Sequence, residues 1–116
     1  MLFRWLTMRI AFASDMDKGL ESIVSRKFGR SAYFIIVELD DNKNILKVES
    51  IKNPASMAAG GAGIKAVQEL VNRSVDIAVA GAFGPNAMAA LVETGIKYYT
   101  ISDVSVKEAL EKVLSG

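Results

Sequence analysis

The spacing of apolar residues changes near residue 60, and this change restricts the fold more than any other feature of the sequence. Before it, three segments have the continuous or alternating apolar pattern of β-strands, at residues 8–13, 32–39 and 45–52. After it, apolar residues recur at helical spacing in three segments, and two buried strand patterns at residues 75–80 and 96–101 separate them. The sequence therefore predicts an α/β domain with the element order β-β-β-α-β-α-β-α.

The connections between these segments restrict the directions of the strands. A polar turn at residues 40–44 joins the second and third strands as an antiparallel hairpin. Right-handed crossovers through the helices make the later strands parallel to the first. We expect a β-bulge near Ser50, because Ile51 departs from the alternating pattern of the third strand. Strand 2 then runs against all the other strands of a mixed sheet.

Glycine and hydroxyl residues mark the ends of the predicted helices. Gly95 is expected to stop the second helix, and Ser105 forms a capping box with Glu108 at the start of the third. Helical spacing assigns three buried faces: Ile64, Val67, Leu70 and Val71; Met88, Leu91 and Val92; and Val106, Ala109, Leu110, Val113 and Leu114.

The length of 116 residues is typical of one domain. We expect a single domain over residues 8–116, because the first strand pattern begins at Met8. Residues 1–7 are then a short N-terminal extension, or Met8 is the true start.

The composition excludes several classes of function. The chain has no cysteine and no histidine, which removes thiolate and imidazole metal ligands and rules out Cys–His or Ser–His–Asp catalysis. The formal charge of +1 provides no broad basic field for nucleic acid. No apolar run in the sequence has the length of a membrane span. We expect a cytoplasmic protein that binds neither nucleic acid nor membrane.

Five loops are expected to meet at one end of the sheet, since parallel strands share the edge at which they end. These loops cover residues 14–19, 28–31, 53–63, 81–86 and 102–105, and they are rich in glycine and small polar residues. Ligands of α/β sheets bind beyond the carboxyl ends of the strands. The sequence therefore predicts a ligand site at this end.

The loop at residues 81–86 is the strongest candidate within this set. Gly81 and Gly84 let the backbone approach a ligand, and the following helix start presents unpaired N–H groups. A tight strand-to-helix turn with Gly84 or Asn86 as N-cap explains the same residues without a ligand. The glycines at residues 60–63 also precede a helix, but they match neither the P-loop nor the dinucleotide-binding pattern.

Three cations, Arg26, Lys27 and Arg30, lie beside Gly29 near the predicted site. They can neutralise an anionic ligand, and Arg30 can make a bidentate contact with it. The alternative is a solvated basic face that neighbouring carboxylates offset.

Other residues near this end raise the question of a metal. Asp15 and Asp103 offer two carboxylates for a metal-dependent hydrolase, fewer than a two-metal site needs. Met16 and Met57 are either soft ligands or packing residues.

Several motifs together point to a family. They are MRIAFAS at residues 8–14, VSRKFGRSAYF at 24–34, NP at 53–54, GAG at 61–63, DIAVAGAFGPNA at 76–87 and TGI at 94–96. This combination resembles the dinitrogenase iron–molybdenum cofactor biosynthesis family, which includes NifX-type cofactor carriers and C-terminal NifB-like domains.

The resemblance implies a ribonuclease-H-like fold of three layers. Its five-stranded mixed sheet has the order 3-2-1-4-5 with strand 2 antiparallel, and helices flank it. The resemblance also implies binding or delivery of the iron–molybdenum cofactor or an iron–sulfur precursor. Relatives often carry histidine or cysteine in the loop that corresponds to residues 53–63. This chain has PASMAA at residues 54–59 instead, which argues against direct ligation of iron and leaves backbone N–H groups and Arg30 to hold an anionic cluster.

The sequence thus leads to a non-catalytic binding or carrier module, with no residue assigned to catalysis or to metal ligation. The expected cofactor-binding residues are Ser14, Asp15, Gly29, Arg30, Asn53, Gly61, Gly63, Gly81, Phe83, Gly84 and Asn86. The alternatives are a regulatory protein-interaction module, with an iron–sulfur protein or an ATPase as partner, and a ribonuclease-H-like hydrolase that uses Asp15 and Asp103.

Overall fold

The structure is a computed structural model that describes residues 7–116. Apart from Thr7, the expected N-terminal extension lies outside the described residues. The strands are β1 (Met8–Ser14), β2 (Tyr33–Leu39), β3 (Ile45–Lys52), β4 (Ile77–Ala80) and β5 (Lys97–Thr100), and the helices are α1 (Ala62–Asn72), α2 (Pro85–Thr94) and α3 (Val106–Ser115). A short 3₁₀ helix, Gly19–Glu21, lies in the loop before β2. The predicted element order is confirmed.

The five strands form one mixed sheet in the order β3-β2-β1-β4-β5. Strand β2 is antiparallel to β1 and β3, whereas β4 is parallel to β1 and β5. At the centre of the sheet, Ala11 of β1 lies between Ile36 of β2 and Ala78 of β4. The expected strand order and strand directions are confirmed.

Alternation along β1 divides the hydrophobic core into two halves. Ala11 and Ala13 belong to the half that packs against α1 and α2. Ile10 and Phe12 belong to the other half, which packs against α3 through residues such as Leu110. The sheet therefore forms the middle of three layers, and burial on both faces explains why β1 and β2 are almost continuously apolar.

The irregularity in β3 lies at Leu46, so the expectation of a bulge near Ser50 was wrong. Leu46 has no partner in β2, whereas Ser50 pairs regularly with Ile35. Ile51 pairs with Phe34 and is buried in the half of the core under α1. This face of β3 is covered by the core only near Ile51 and is open to solvent near the hairpin. An apolar residue at position 51 therefore does not require a bulge.

The apolar faces predicted for α1 and α2 were partly wrong. Ile64, Val71 and Val92 are substantially exposed, whereas Ala66 and Ala87 are buried. Val67, Leu70 and Leu91 are buried as predicted. The buried faces also include Ala66 and Ala87, which leaves Ile64 and Val71 along the groove between the two helices. The buried face predicted for α3 is observed for Val106, Ala109, Leu110 and Val113.

Both predicted helix-end signals are present in the structure. Gly95 ends α2 with a left-handed backbone (φ 77°), which favours glycine. The Ser105 side chain accepts a hydrogen bond from the Glu108 backbone N–H at 3.1 Å and so caps α3. None of the described α-helices has the length and apolar run that crossing a bilayer requires.

Candidate functional site

Residues 22–28 connect the loops that follow β1, β4 and β5. Val24 pairs with Ser14 at the end of β1, and its carbonyl accepts the Asp103 N–H at 3.1 Å. The Ser25 carbonyl accepts the Gly81 N–H at 2.9 Å, and Lys27 continues this contact in a bridge to Ala82. The cations that follow Ser25 are thereby held beside the end of the sheet.

Close backbone packing requires glycine at two of the positions expected to bind ligand, Gly81 and Gly29. A Cβ on Gly81 would lie 2.7 Å from the Arg26 Cα and 2.7 Å from the Ser102 Cβ. A Cβ on Gly29 would lie 2.9 Å from the Gly63 backbone nitrogen. Real Cβ atoms do not approach other atoms so closely, so these glycines let separate segments meet.

Three polar residues expected at the site are occupied in holding the loops together. The Asn53 side chain is buried, donates to the carbonyls of Gly29 and Ser31, and accepts the Ala55 N–H. The buried Ser14 hydroxyl donates to the Ile23 carbonyl at 2.8 Å and accepts the Met16 N–H at 3.1 Å. The carboxylate of Asp15 accepts the Ala32 N–H at 3.0 Å and the Ser25 hydroxyl at 3.2 Å. The sequence did not indicate these supporting roles.

A cleft of about 520 Å³ lies between the first turns of α1 and α2 and the loop at residues 26–30. Of the eleven expected binding residues, the structure places Gly29, Arg30, Gly61, Gly63, Phe83, Gly84 and Asn86 in its lining. Ser14, Asp15, Asn53 and Gly81 do not line it. The lining also includes Arg26 and Lys27, which the presence of three cations within five residues had indicated.

The two helix starts at the cleft have no side-chain cap. Helix α1 begins after Gly61 and α2 after Gly84, and neither has an acidic residue in its first turn. The first backbone N–H groups of a helix have no intrahelical partner and carry the positive end of the helix dipole. In α3 the side chain of Ser105 satisfies one such group, and Glu108 supplies the negative charge. At α1 these groups have no side-chain acceptor, and at α2, whose first residue Pro85 has no N–H, the same holds for the N–H groups of Asn86 and Ala87.

The charged residues that line the cleft are all cationic. Arg26 is paired with Asp103 at 3.1 Å, and Arg30 donates through Nη1 to the Ala58 carbonyl at 2.7 Å. Within residues 7–116, the Lys27 ammonium group has no hydrogen bond or ion pair. The lining contains no carboxylate. The charge and the helix dipoles therefore both favour an anion.

Aromatic side chains form the inner wall of the cleft. The rings of Phe28 and Phe83 have centroids 4.9 Å apart, and Phe83 contacts Tyr98 at the same distance. Both phenylalanines are buried. This apolar wall lowers the local dielectric constant, which strengthens electrostatic interactions with a bound anion.

Gly84 differs from the glycines required by packing. Its backbone (φ −69°, ψ 163°) is one that any residue adopts, and a Cβ built on it would have no atom within 4 Å. Packing and backbone geometry therefore do not require glycine at this position. A side chain there would extend from the rim of the cleft beside the first turn of α2.

The donors of the cleft suit an anion held by hydrogen bonds and charge, rather than a metal ion held by side chains. Among the described residues, no group of three or more histidine, cysteine, aspartate or glutamate side chains is arranged to hold a metal ion. Asp15 and Asp103 are engaged with separate partners, Asp15 with Ser25 and Asp103 with Arg26.

We expect Gly81→Ala to lower the free energy of unfolding by about 1–3 kcal/mol, because the new methyl group has no room. Chemical denaturation measures this loss. Gly60→Ala is the matched control, since a Cβ there meets nothing within 4 Å. Equal stability of the two variants would contradict the close packing at Gly81.

The comparisons with known proteins agree with this fold. The model of the family described as "Dinitrogenase iron-molybdenum cofactor" matches residues 8–116. Among solved structures, the apo form of the orange protein from Desulfovibrio gigas is 32% identical, with a TM-score of 0.83 over 94% of this chain and 88% of that chain. A putative NifB protein from Thermotoga, described as belonging to the DUF35 family, is 35% identical, with a TM-score of 0.74 over 94% and 89%. A search of curated proteins gave no match. The chain therefore belongs to the dinitrogenase iron–molybdenum cofactor family.

Proposed function

We propose that this protein is a non-catalytic carrier that holds an anionic metal–sulfur cofactor in the cleft between α1 and α2. The cargo would be the iron–molybdenum cofactor or an iron–sulfur precursor of it, as the family suggests. The observation that carries the proposal is the meeting of two uncapped helix starts with three cations, without any carboxylate in the lining. Each of these features favours a negative charge at the same place.

The backbone would make the most directional contacts with the cargo. Helix N-termini bind anions through N–H groups that point at the ligand, and sulfur atoms of metal clusters accept such hydrogen bonds. Gly61 and Gly84 leave room for a ligand close to these groups. Lys27 and Arg30 would add charge from the opposite side of the cleft.

The absence of cysteine and histidine suits a carrier. No thiolate or imidazole bond to the metal would have to break when the cargo leaves. Contacts through hydrogen bonds and charge are individually weak, so a partner that offers true ligands would withdraw the cargo. The function of the protein is then to hold and pass on the cluster, not to transform it.

Substitution of Gly84 separates cargo binding from folding. Gly84→Asp is expected to keep or raise the stability, because aspartate is a good N-cap, and to weaken binding of isolated iron–molybdenum cofactor at least about tenfold. Gly84→Asn, of nearly the same size and without the charge, should weaken binding less. Anaerobic titration followed by visible absorption gives the affinities, and thermal unfolding gives the stabilities. Unchanged affinity in Gly84→Asp would disprove the location of the site.

Lys27 tests the contribution of charge. We expect Lys27→Gln to weaken binding of the cofactor about threefold to tenfold at low ionic strength, and less at high salt, because screening reduces the lost interaction. Lys107→Gln on α3 removes the same charge outside the cleft and should have little effect. If both variants lower the affinity equally, the effect comes from net charge and not from the cleft.

A regulatory interaction module remains the second candidate, because apolar side chains lie exposed beside the cleft. Ile64 and Val71 of α1 line a groove toward α2, and Ile64 also lines the cleft. An iron–sulfur protein or an ATPase is the expected partner. Affinity capture from the native host, with Val71→Asp as the control, distinguishes the two roles. Capture of such a partner that depends on Val71 but not on cargo would favour the regulatory module.

A further inference from the structure

The ion pair between Arg26 and Asp103 joins the cleft to a carboxylate outside it. The Arg26 Nε lies 3.2 Å from one carboxylate oxygen of Asp103 and 3.1 Å from the other. Arg26 lines the cleft, whereas Asp103 does not. One of the three cations at the cleft is therefore neutralised by a carboxylate that lies outside the cleft. A ligand can enter the cleft without moving this carboxylate.

The fold holds Asp103 at this position by more than the ion pair. Its backbone is in the left-handed region (φ 67°), which residues other than glycine rarely adopt. The Asp103 N–H donates to the Val24 carbonyl at 3.1 Å, two residues before Arg26, and the Ser102 hydroxyl donates to its carboxylate at 3.3 Å. The carboxylate is thus positioned beside Arg26 by local backbone contacts.

The pair is also exposed, which makes it easy to exchange. The side chain of Arg26 is 79% exposed and that of Asp103 is 58% exposed. Exposed ion pairs contribute little net free energy, because water solvates the separated charges well. A multiply charged anion in the cleft would attract the guanidinium more strongly than one carboxylate does, whereas a singly charged anion would not.

We propose that Asp103 competes with the ligand for Arg26 and so determines which anions can engage this cation. With no anion bound, the carboxylate neutralises Arg26, so chloride or a simple carboxylate gains little in the cleft. A multivalent anion draws Arg26 away from Asp103 and gains the difference between its own interaction with Arg26 and that of the carboxylate. This inference rests on the proposed anion-binding function and adds the class of ligand that engages Arg26.

Asp103→Asn tests the proposal without disturbing the backbone, because asparagine tolerates the left-handed conformation. The probes are isolated iron–molybdenum cofactor and hexacyanoferrate(II), a multivalent anion that needs no ligand from the protein. We expect Asp103→Asn to bind both about threefold to tenfold more tightly at low ionic strength. We expect acetate, which does not displace Asp103, to gain less than hexacyanoferrate(II), so that more acetate is needed to displace hexacyanoferrate(II) from the variant than from the unmodified protein. Asp41→Asn in the distant hairpin is the control for net charge.

A double-mutant cycle with Arg26→Gln shows whether Asp103 changes the affinity through Arg26. If Asp103 acts through Arg26, adding Asp103→Asn to Arg26→Gln should change neither the affinity nor the competition by acetate. An equal gain with and without Arg26 would show a general electrostatic effect and overturn the proposal.

The remaining outcomes separate this inference from the proposed function. Binding of both probes with no gain in Asp103→Asn overturns the role of Asp103 and leaves the carrier function standing. Binding of hexacyanoferrate(II) but not of the cofactor overturns the proposed cargo, and the hexacyanoferrate(II) titrations then decide the role of Asp103. If neither the unmodified protein nor the variant binds either probe, both proposals are wrong.

Discussion

The close contact between Gly81 and the segment around Arg26 determines the geometry at the end of the sheet that carries the cleft. The Gly81 N–H donates to the Ser25 carbonyl at 2.9 Å, and the Ser25 N–H donates to the Ala13 carbonyl at 2.7 Å. The segment is therefore held between the ends of β1 and β4. Only glycine permits this approach, because a Cβ at residue 81 would lie 2.7 Å from the Arg26 Cα. The positions of the cations follow from this contact.

At the same end of the molecule, some polar side chains hold the loops in place, whereas the first N–H groups of two helices have no side-chain acceptor. Asn53, Ser14 and Asp15 use their polar atoms to fix the loops, and they leave little for a ligand. The first turns of α1 and α2 remain uncapped. A site of this kind is preorganised: its donors are already oriented, so a bound anion does not have to order them. The proposed carrier function would use this division of roles.

Much of the fold was predictable from local patterns, and the errors have a common cause. Runs such as the one ending at Leu39 are apolar on both faces because helices cover both, and their length distinguishes them from helices. Ile51 was misread as evidence of a bulge. The alternation of apolar and polar residues depends on which parts of each face are covered, and this changes along β3. Ile64 and Val71 were assigned to the core by helical spacing, yet the buried face of α1 runs through Ala66, Val67 and Leu70 and leaves them at its edge.

The element order, the strand directions and the exclusion of thiolate and imidazole chemistry follow from the amino-acid sequence, because they depend on local pattern and on residue type. The sequence also placed glycines and cations in loops at one end of the sheet. Which of these residues form the cleft depends on how the folded chain brings the loops together. Gly81 and Gly84 lie in one short loop, yet one is packed against Arg26 and the other has open space beside it. The difference arises because segments distant in the sequence pack against Gly81 and not against Gly84. A local sequence pattern contains no information about these contacts.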